Sequence, residues 1–338
     1  MGFNDWLARD LSIDLGTANV LVFARGRGIV VREPTVVAVK KQGGSRSIVK
    51  VGHEAKRMIG RTASSISAVR PLQNGVIADI DVTEAMLEHF IKKAVKRLGP
   101  IGKKPRVVVC APCGITEVEK RAVEKAAHAA GASQAHILEE PMAAAIGAML
   151  PVLEPQGSMI VDIGGGTSEV AVISYGDIVV ANSLRVGGNR LDEAIVQYFR
   201  RERNLAIGER TAEEIKINIG SAFRGMSQGE MEVRGRDLIT GMPISMTITG
   251  GEVFAALSEP VSQIIEMIKT TLEDTPPELS ADIMQFGITM TGGGALLTGL
   301  NKLIAQETGV EVRIAESPME CVVMGSARYW DQLYQKGN

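Results

Sequence analysis

The chain has 338 residues, 45% of them hydrophobic and 22% charged, with a formal net charge of -2. This is ordinary globular composition, long enough for two domain-sized cores and too nearly neutral to gather nucleic acid by its field. Three cysteines are too few for a disulfide framework, and no segment has the apolar length of a membrane span or of a signal-peptide core, so a cytoplasmic protein is expected.

In chain order, the first feature is an apolar stripe. Phe3, Trp6 and Leu7 stand at i, i+3 and i+4 and would share one face of a short helix, which could lie on a membrane or equally pack on the body. Residues 11–15, LSIDL, read as a strand carrying Asp14 near its end; Gly16, Thr17, Ala18 and Asn19 form a turn, and a second apolar run follows from Val20 to Phe23. Residues 107–112 read as a strand that ends in a small-residue turn and leads to a helix over about 117–130. Cys110 and Cys113 form a C-x-x-C pair at that turn. A strand-to-helix setting is where such a pair performs redox chemistry, but buried small residues account for both thiols more simply. Glu139 and Glu140 precede Pro141 at a helix start, where an acidic residue suits the dipole and proline suits the first turn.

Residues 160–173, IVDIGGGTSEVAVI, place Asp162, Gly164, Gly165, Gly166 and Thr167 between two runs rich in β-branched residues. A dinucleotide fold or a P-loop would need a helix to open at the glycines, whereas Ser168 to Ile173 reads as a strand. The glycines therefore form a hairpin tip, either an ordinary tight turn or a concave site whose bare N–H groups bind an anion. This stretch repeats the order around Asp14: apolar strand, Asp, apolar, Gly, Thr, apolar strand, with the two Asp residues 148 positions apart. Further on, Thr211 and Glu214 fit a capping box, and Glu213 and Lys216 stand at i, i+3 on the same helix. Residues 288–294 give a second strand with a small-residue turn at Gly292, Gly293 and Gly294, followed by a helix over about 297–308. Self-similarity at this long period indicates two related domains rather than a solenoid. Residues 141–148 and 322–327, both rich in small side chains, are candidate linkers or close-packed helices.

Five segments in order carry a resemblance across nearly the whole chain: residues 14–19, 139–147 and 160–173, the Glu213-Glu214-Ile215-Lys216 run with Ile219-Gly220, and residues 291–297. The sequence resembles the actin, sugar-kinase and chaperone ATPase superfamily, and within it the MreB family of bacterial actins. The resemblance implies an α/β, actin-like ATPase fold of two related lobes with a nucleotide cleft between them. Lobe I would take residues 1–32, 69–145 and 312–338 as core and 33–68 as insertion; lobe II would take 146–181 and 243–311 as core and 182–242 as insertion. The chain is too short for the substrate domain of the chaperones and leaves little room for a sugar site.

The resemblance further implies that ATP and Mg2+ are the cofactors. Gly16, Thr17, Ala18 and Asn19, with Gly164, Gly165 and Gly166, would hold the phosphates, and Asp14 and Asp162 a hydrated magnesium ion; a strand-end Asp capping its own turn is the plainer alternative. Glu140 would orient the attacking water with Thr167 as a second contact, and Glu213, Glu214 and Lys216 would flank the nucleoside opposite Gly292, Gly293, Gly294 and Ala295. Val20 stands where the family commonly has threonine, removing one hydroxyl near the phosphates. The implied protein is a slow ATPase that polymerises head to tail on the inner face of the cell membrane, organises cell-wall synthesis and maintains rod shape, with transmembrane cell-elongation proteins as partners. Ile101, in residues 98–102, would be a second membrane contact beside Phe3, Trp6 and Leu7. A monomeric small-molecule kinase is the alternative on the same fold.

Overall fold

The structure, a computed structural model, describes residues 10–42, 45–59, 66–73, 75–99 and 104–336. Phe3, Trp6, Leu7 and Ile101 lie outside the described residues. The chain divides into two compact units, Met1–Leu150 with Glu320–Asn338, and Pro151–Met319.

In the first unit, β1 (Asp10–Leu15), β2 (Asn19–Ala24) and β3 (Gly28–Pro34) form an antiparallel meander. A small antiparallel sheet of β4 (Val37–Gln42), β5 (Ser45–Val51) and β6 (Ile66–Val69) follows, with the short helix α1 (His53–Lys56) and a minimal hairpin of β7 (Leu72–Gln73) and β8 (Val76–Ile77). Helix α2 (Ile80–Leu98) starts where the Asp79 carboxylate accepts from Val82 N at 3.2 Å, the usual remedy for an orphan first-turn N–H. Its residues Met86, Leu87, Phe90, Ile91 and Ala94 recur at helical spacing and bury completely against Leu11, Ile13 and Val22 of the sheet. β9 (Arg106–Ala111) pairs parallel with β1, and α3 (Glu117–Ala129) opens with a capping box between Thr116 and Glu119. β10 (Gln134–Glu139) joins β9 in parallel and runs into α4 (Glu140–Gly147), completing a sheet of order β10-β9-β1-β2-β3.

The second unit repeats this plan. β11 (Ser158–Ile163), β12 (Ser168–Ser174) and β13 (Asp177–Leu184) form the meander, so the glycines of residues 164–166 do sit at a hairpin tip. Helix α5 (Gly188–Glu202), β14 (Leu205–Ala206) and α6 (Glu209–Ile219) follow, and β15 (Glu230–Asp237) and β16 (Pro243–Thr249) complete a small sheet with β14. After α7 (Gly250–Glu273) and α8 (Pro277–Phe286), β17 (Ile288–Thr291) pairs parallel with β11; α9 (Leu300–Thr308) and β18 (Val312–Ile314) close a sheet of order β13-β12-β11-β17-β18. Strand for strand, this is the order of the first unit's sheet. Leu191, Ile195 and Phe199 of α5, four residues apart, bury in the core with Met159, Val161 and Val172.

The C-terminal helix α10 (Cys321–Lys336) belongs to the first unit and crosses α4 at backbone contact. A Cβ on Gly147 would fall 1.9 Å from the Cys321 carbonyl oxygen, and one on Gly325 would fall 1.7 Å from that of Ala143. The small residues of both segments are thus required by a helix crossing inside one unit, and Arg328 Nη1 finishes α4 by donating to the carbonyls of Ile146 and Gly147 at 3.0 and 2.8 Å. Some boundaries differ from expectation. Residues 312–319 fall in the second unit because β18 pairs with β17, β13 keeps residues 182–184 in the main sheet, and β16 carries the small sheet to Thr249.

Candidate functional site

Parallel strands place their carboxyl ends at one edge of a sheet, and ligands of open α/β sheets bind there. In the first unit, β1, β9 and β10 are parallel, with Asp14 in register with Cys110 and Glu139 with Ala111. Asp14, the glycine turn and the start of α4 therefore share one edge. Gly16 is obligatory, since a Cβ there would meet the Asn19 carbonyl oxygen at 2.8 Å. The turn is braced by outside groups: Thr35 Oγ1 donates to the Gly16 carbonyl at 2.6 Å, Thr35 N to that of Ala18 at 3.0 Å, and Gly75 N to Thr17 Oγ1 at 3.2 Å. Glu139 is the helix N-cap and exposed, whereas Glu140, the first residue of α4, is only 7% exposed. Burial of a carboxylate at this edge distinguishes Glu140 from its neighbour, and charged side chains are rarely buried without a purpose.

The second unit repeats the arrangement with Asp162 at the end of β11 beside Thr291 at the end of β17. Thr291 Oγ1 donates to Asp162 Oδ1 at 2.9 Å. Burial pushes the Asp162 carboxyl up to about 6, with the Thr291 bond acting in the opposite direction. A nearby cation would offset the burial, and hard carboxylate oxygens suit magnesium, which accepts one or two of them and retains water. Among the described residues no group of three or more His, Cys, Asp or Glu side chains forms a preassembled metal cage.

The glycine loop is held from behind by α5. Gly188 N and Asn189 N donate to the carbonyls of Gly164 and Gly165 at 2.9 and 2.8 Å, and a Cβ on Gly187 would lie 2.7 Å from the Gly164 oxygen. Sequence reasoning passed over Gly187 and Gly188; the adjacent pair opening a helical run was the available signal. It also passed over Glu169, 1% exposed on β12. In register, Ser183, Glu169, Asp162 and Thr291 form a polar row across four strands, and Ser183 Oγ donates to Glu169 Oε1 at 3.3 Å. A glutamate inside a β-branched strand was its signal.

Other predicted positions divide. Gly292, at φ 80°, would bring a Cβ 2.3 Å from the Ile163 carbonyl oxygen, and Gly294 would meet Ile163 Cγ2 at 2.2 Å, so both glycines are required by packing on β11. Gly293 faces open space. Ala295 is fully buried in the hydrophobic core. The Thr211–Glu214 capping box is corrected: α6 begins at Glu209 with Gly208 as N-cap, which places Thr211 inside the first turn. Glu214 is exposed and pairs with Arg210 at 3.1 Å. Lys216 lies 2.8 Å from Asp192 and donates to the Gly188 carbonyl at 3.0 Å. The helix expected from residue 297 starts at Leu300, after a 3-10 turn over Gly293–Leu296. Cys110, Cys113 and Cys321 form no disulfide with one another, and Cys110 is buried against the Val322 carbonyl. A cavity of about 470 Å3, lined by Phe223, Phe254, Leu257, Val261, Lys269 and Leu303 among others, includes none of the glycine-loop residues. No described helix is long and apolar enough to cross a membrane.

Comparison with known proteins agrees with this geometry. The chain is 50% identical to the cell shape-determining protein MreB of Escherichia coli over 337 residues, covering 99% of this chain and 97% of that protein. It is 49% identical to the cell shape-determining protein Mbl of Bacillus subtilis over 326 residues, 96% and 97% of the two chains. MreB5 of Spiroplasma citri, solved bound to ADP, superposes with a TM-score of 0.91 at 37% identity over 98% of each chain. A MamK double helical filament shares the fold, with a TM-score of 0.77 at 24% identity over 95% of this chain and 99% of that one. Residues 8–338 match the family model described as MreB/Mbl protein, and the chain belongs to the MreB/Mbl family of actin-like cell-shape proteins.

Proposed function

We propose that this protein binds ATP with magnesium, hydrolyses it slowly, and couples the cycle to polymerisation into filaments on the inner face of the cell membrane, where they organise cell-wall synthesis and maintain rod shape together with transmembrane cell-elongation proteins. The observation that carries the nucleotide reading is the duplicated sheet edge: each unit brings an Asp and a glycine hairpin to the carboxyl ends of its parallel strands. MreB5 of Spiroplasma citri, at 37% identity, has been solved with both ADP and AMPPNP, which supports the same ligand class here.

Phosphoryl transfer to water depends on positioning and charge stabilisation more than on covalent chemistry. The backbone N–H groups of the two hairpin tips hold phosphate oxygens. Asp14 and Asp162 would hold magnesium, which would supply charge neutralisation at the phosphates. Glu140 orients the attacking water and receives its proton, and Thr167 adds a second polar contact. Glu213, Glu214 and Lys216 flank the nucleoside, opposite the backbone of residues 292–295. Weak membrane contacts at Phe3, Trp6, Leu7 and Ile101 become firm attachment when many subunits in one filament act together.

Phosphate release measured for the unaltered protein and for Glu140→Ala tests the catalytic reading. We expect slow, magnesium-dependent release that falls by about 100-fold or more in Glu140→Ala, within the range for a general base, while ADP binding persists. Equal rates in the two proteins would contradict it.

A further inference from the structure

We propose that the amino-terminal edge of the first unit's sheet binds anionic phospholipid headgroups through Arg27, Lys96, Arg97 and Lys104. The proposal rests on the membrane reading given above and adds the lipid class. Register and hydrogen bonds define the edge. β1 and β9 start side by side with Asp10 paired to Arg106, and β10 starts beside them with Gln134 paired to Arg106. The turn between β2 and β3 returns to the same place, since Arg25 N donates to the Asp10 carbonyl at 3.0 Å. Ser133 N donates to the Pro105 carbonyl at 2.7 Å, which ties the approach to β10 to the approach to β9. Arg97, in the last turn of α2, donates from Nη1 to the Val30 carbonyl near the start of β3. Asp14 and Glu139 stand at the other ends of β1 and β10, so this edge is remote from the glycine turn.

The charge at this edge has one sign. Residues 25–28, 96–98, 104–106 and 131–134 hold six Lys or Arg and no Asp or Glu, in a chain whose net charge is -2. Asp10 is the acid beside them, and it is already neutralised. It is 1% exposed, accepts from Arg106 Nε and Nη2 at 2.8 and 2.9 Å, and lies 3.4 Å from Arg25 Nη1. Arg106 is committed inward a second time, 5.3 Å above the ring of Trp330. Arg27, Lys96, Arg97 and Lys104 are exposed, and Arg27, Lys96 and Lys104 form no ion pair among the described residues. Cations gathered this way repel one another and are relieved when a negative surface faces them. Two features select lipid as that surface. Residues 1–9, with Phe3, Trp6 and Leu7, run into Asp10, and residues 100–103, with Ile101, run into Lys104, so both segments given apolar membrane contacts above join the body here. Cations beside apolar groups match a bilayer, whose charged headgroups overlie its acyl chains. Nucleic acid is disfavoured, because the four stretches contain no Phe, Tyr, Trp or His on which bases could stack.

The test measures binding to vesicles of phosphatidylcholine alone and of phosphatidylcholine mixed equally with phosphatidylglycerol, below the protein concentration that pellets without lipid. The full chain is compared with a triple variant, Arg27→Gln with Lys96→Gln and Lys104→Gln. A control, Arg234→Gln with Arg236→Gln and Lys302→Gln, removes the same charge from exposed positions of the second unit. We expect the unaltered protein to prefer the mixed vesicles and the triple variant to lose roughly fivefold per side chain there, on the order of 100-fold in all. Binding to phosphatidylcholine alone, and ADP affinity, should not change. The preference should vanish in about 1 M salt, where the Debye length falls to about 3 Å. Equal binding of the unaltered protein to both vesicles would overturn the proposal and leave the membrane reading standing. An unaffected triple variant, or a control that loses as much, would also overturn it. Single-stranded DNA that displaces the protein from the mixed vesicles, and binds the triple variant more weakly, would assign the edge to nucleic acid instead. Failure of the unaltered protein to bind either vesicle would overturn the membrane reading itself, and the proposal with it.

Discussion

Asp162 shows how burial sets a residue's chemistry. Its carboxyl is raised from 3.8 to about 6 by desolvation. A raised acid favours the folded state while both forms are protonated, below about pH 4, and that contribution is lost as pH climbs to about 6. The shift corresponds to roughly 3 kcal/mol. Asp162→Asn should therefore raise the Tm of the ligand-free protein at pH 7.5, leave it nearly unchanged at pH 4, and abolish the extra stabilisation given by magnesium with ADP; thermal melts at both pH values check all three. An unchanged pH dependence in the variant would refute the assignment. Neighbouring glycines offer a sharper steric contrast. Gly294→Ala drives a methyl group into Ile163 and should destabilise by about 1–3 kcal/mol, whereas Gly293→Ala meets nothing and should fall within about 0.5 kcal/mol of the unaltered protein in urea unfolding.

Among the elements, the crossing of α4 and α10 is the tightest contact, with Gly147 against Cys321 and Gly325 against Ala143. Gly325→Ala should gain helix propensity of about 1 kcal/mol and still lose stability, because the backbones must separate. A raised Tm would contradict close crossing. Elements were legible in the sequence where two signals agreed. The Asp-Gly-Thr hairpins announced themselves through β-branched runs on both sides of the glycines, and α3 as the helix that follows a strand and a small-residue turn. The start of α6 was not legible, because Thr211 and Glu214 satisfy the capping pattern equally well while Gly208, which offers no side-chain cap, is the true N-cap. The support of the glycine loop by α5 was hidden for a different reason: it depends on hydrogen bonds between segments more than twenty residues apart, which no local spacing encodes.

At the scale of the molecule, one sheet plan is used twice, and each copy brings its Asp and its glycine hairpin to the same edge. The sequence showed this duplication through the matched order around Asp14 and Asp162, while the limits of the insertions depended on strand pairings that ran past the expected ends. In the proposed cycle each copy of the edge would offer backbone donors to charged phosphate oxygens, and loss of the γ-phosphate would remove part of what they hold. That dependence is what couples hydrolysis to assembly in the proposed cycle. A filament built from one repeated head-to-tail contact does not close, so assembly should show a critical concentration that nucleotide shifts. The most direct measurement is sedimentation with liposomes, with and without ATP and magnesium, for the unaltered protein and a variant lacking the first ten residues. The account predicts nucleotide-dependent pelleting with lipid that the deletion abolishes; a protein that stays in the supernatant under every condition would contradict it.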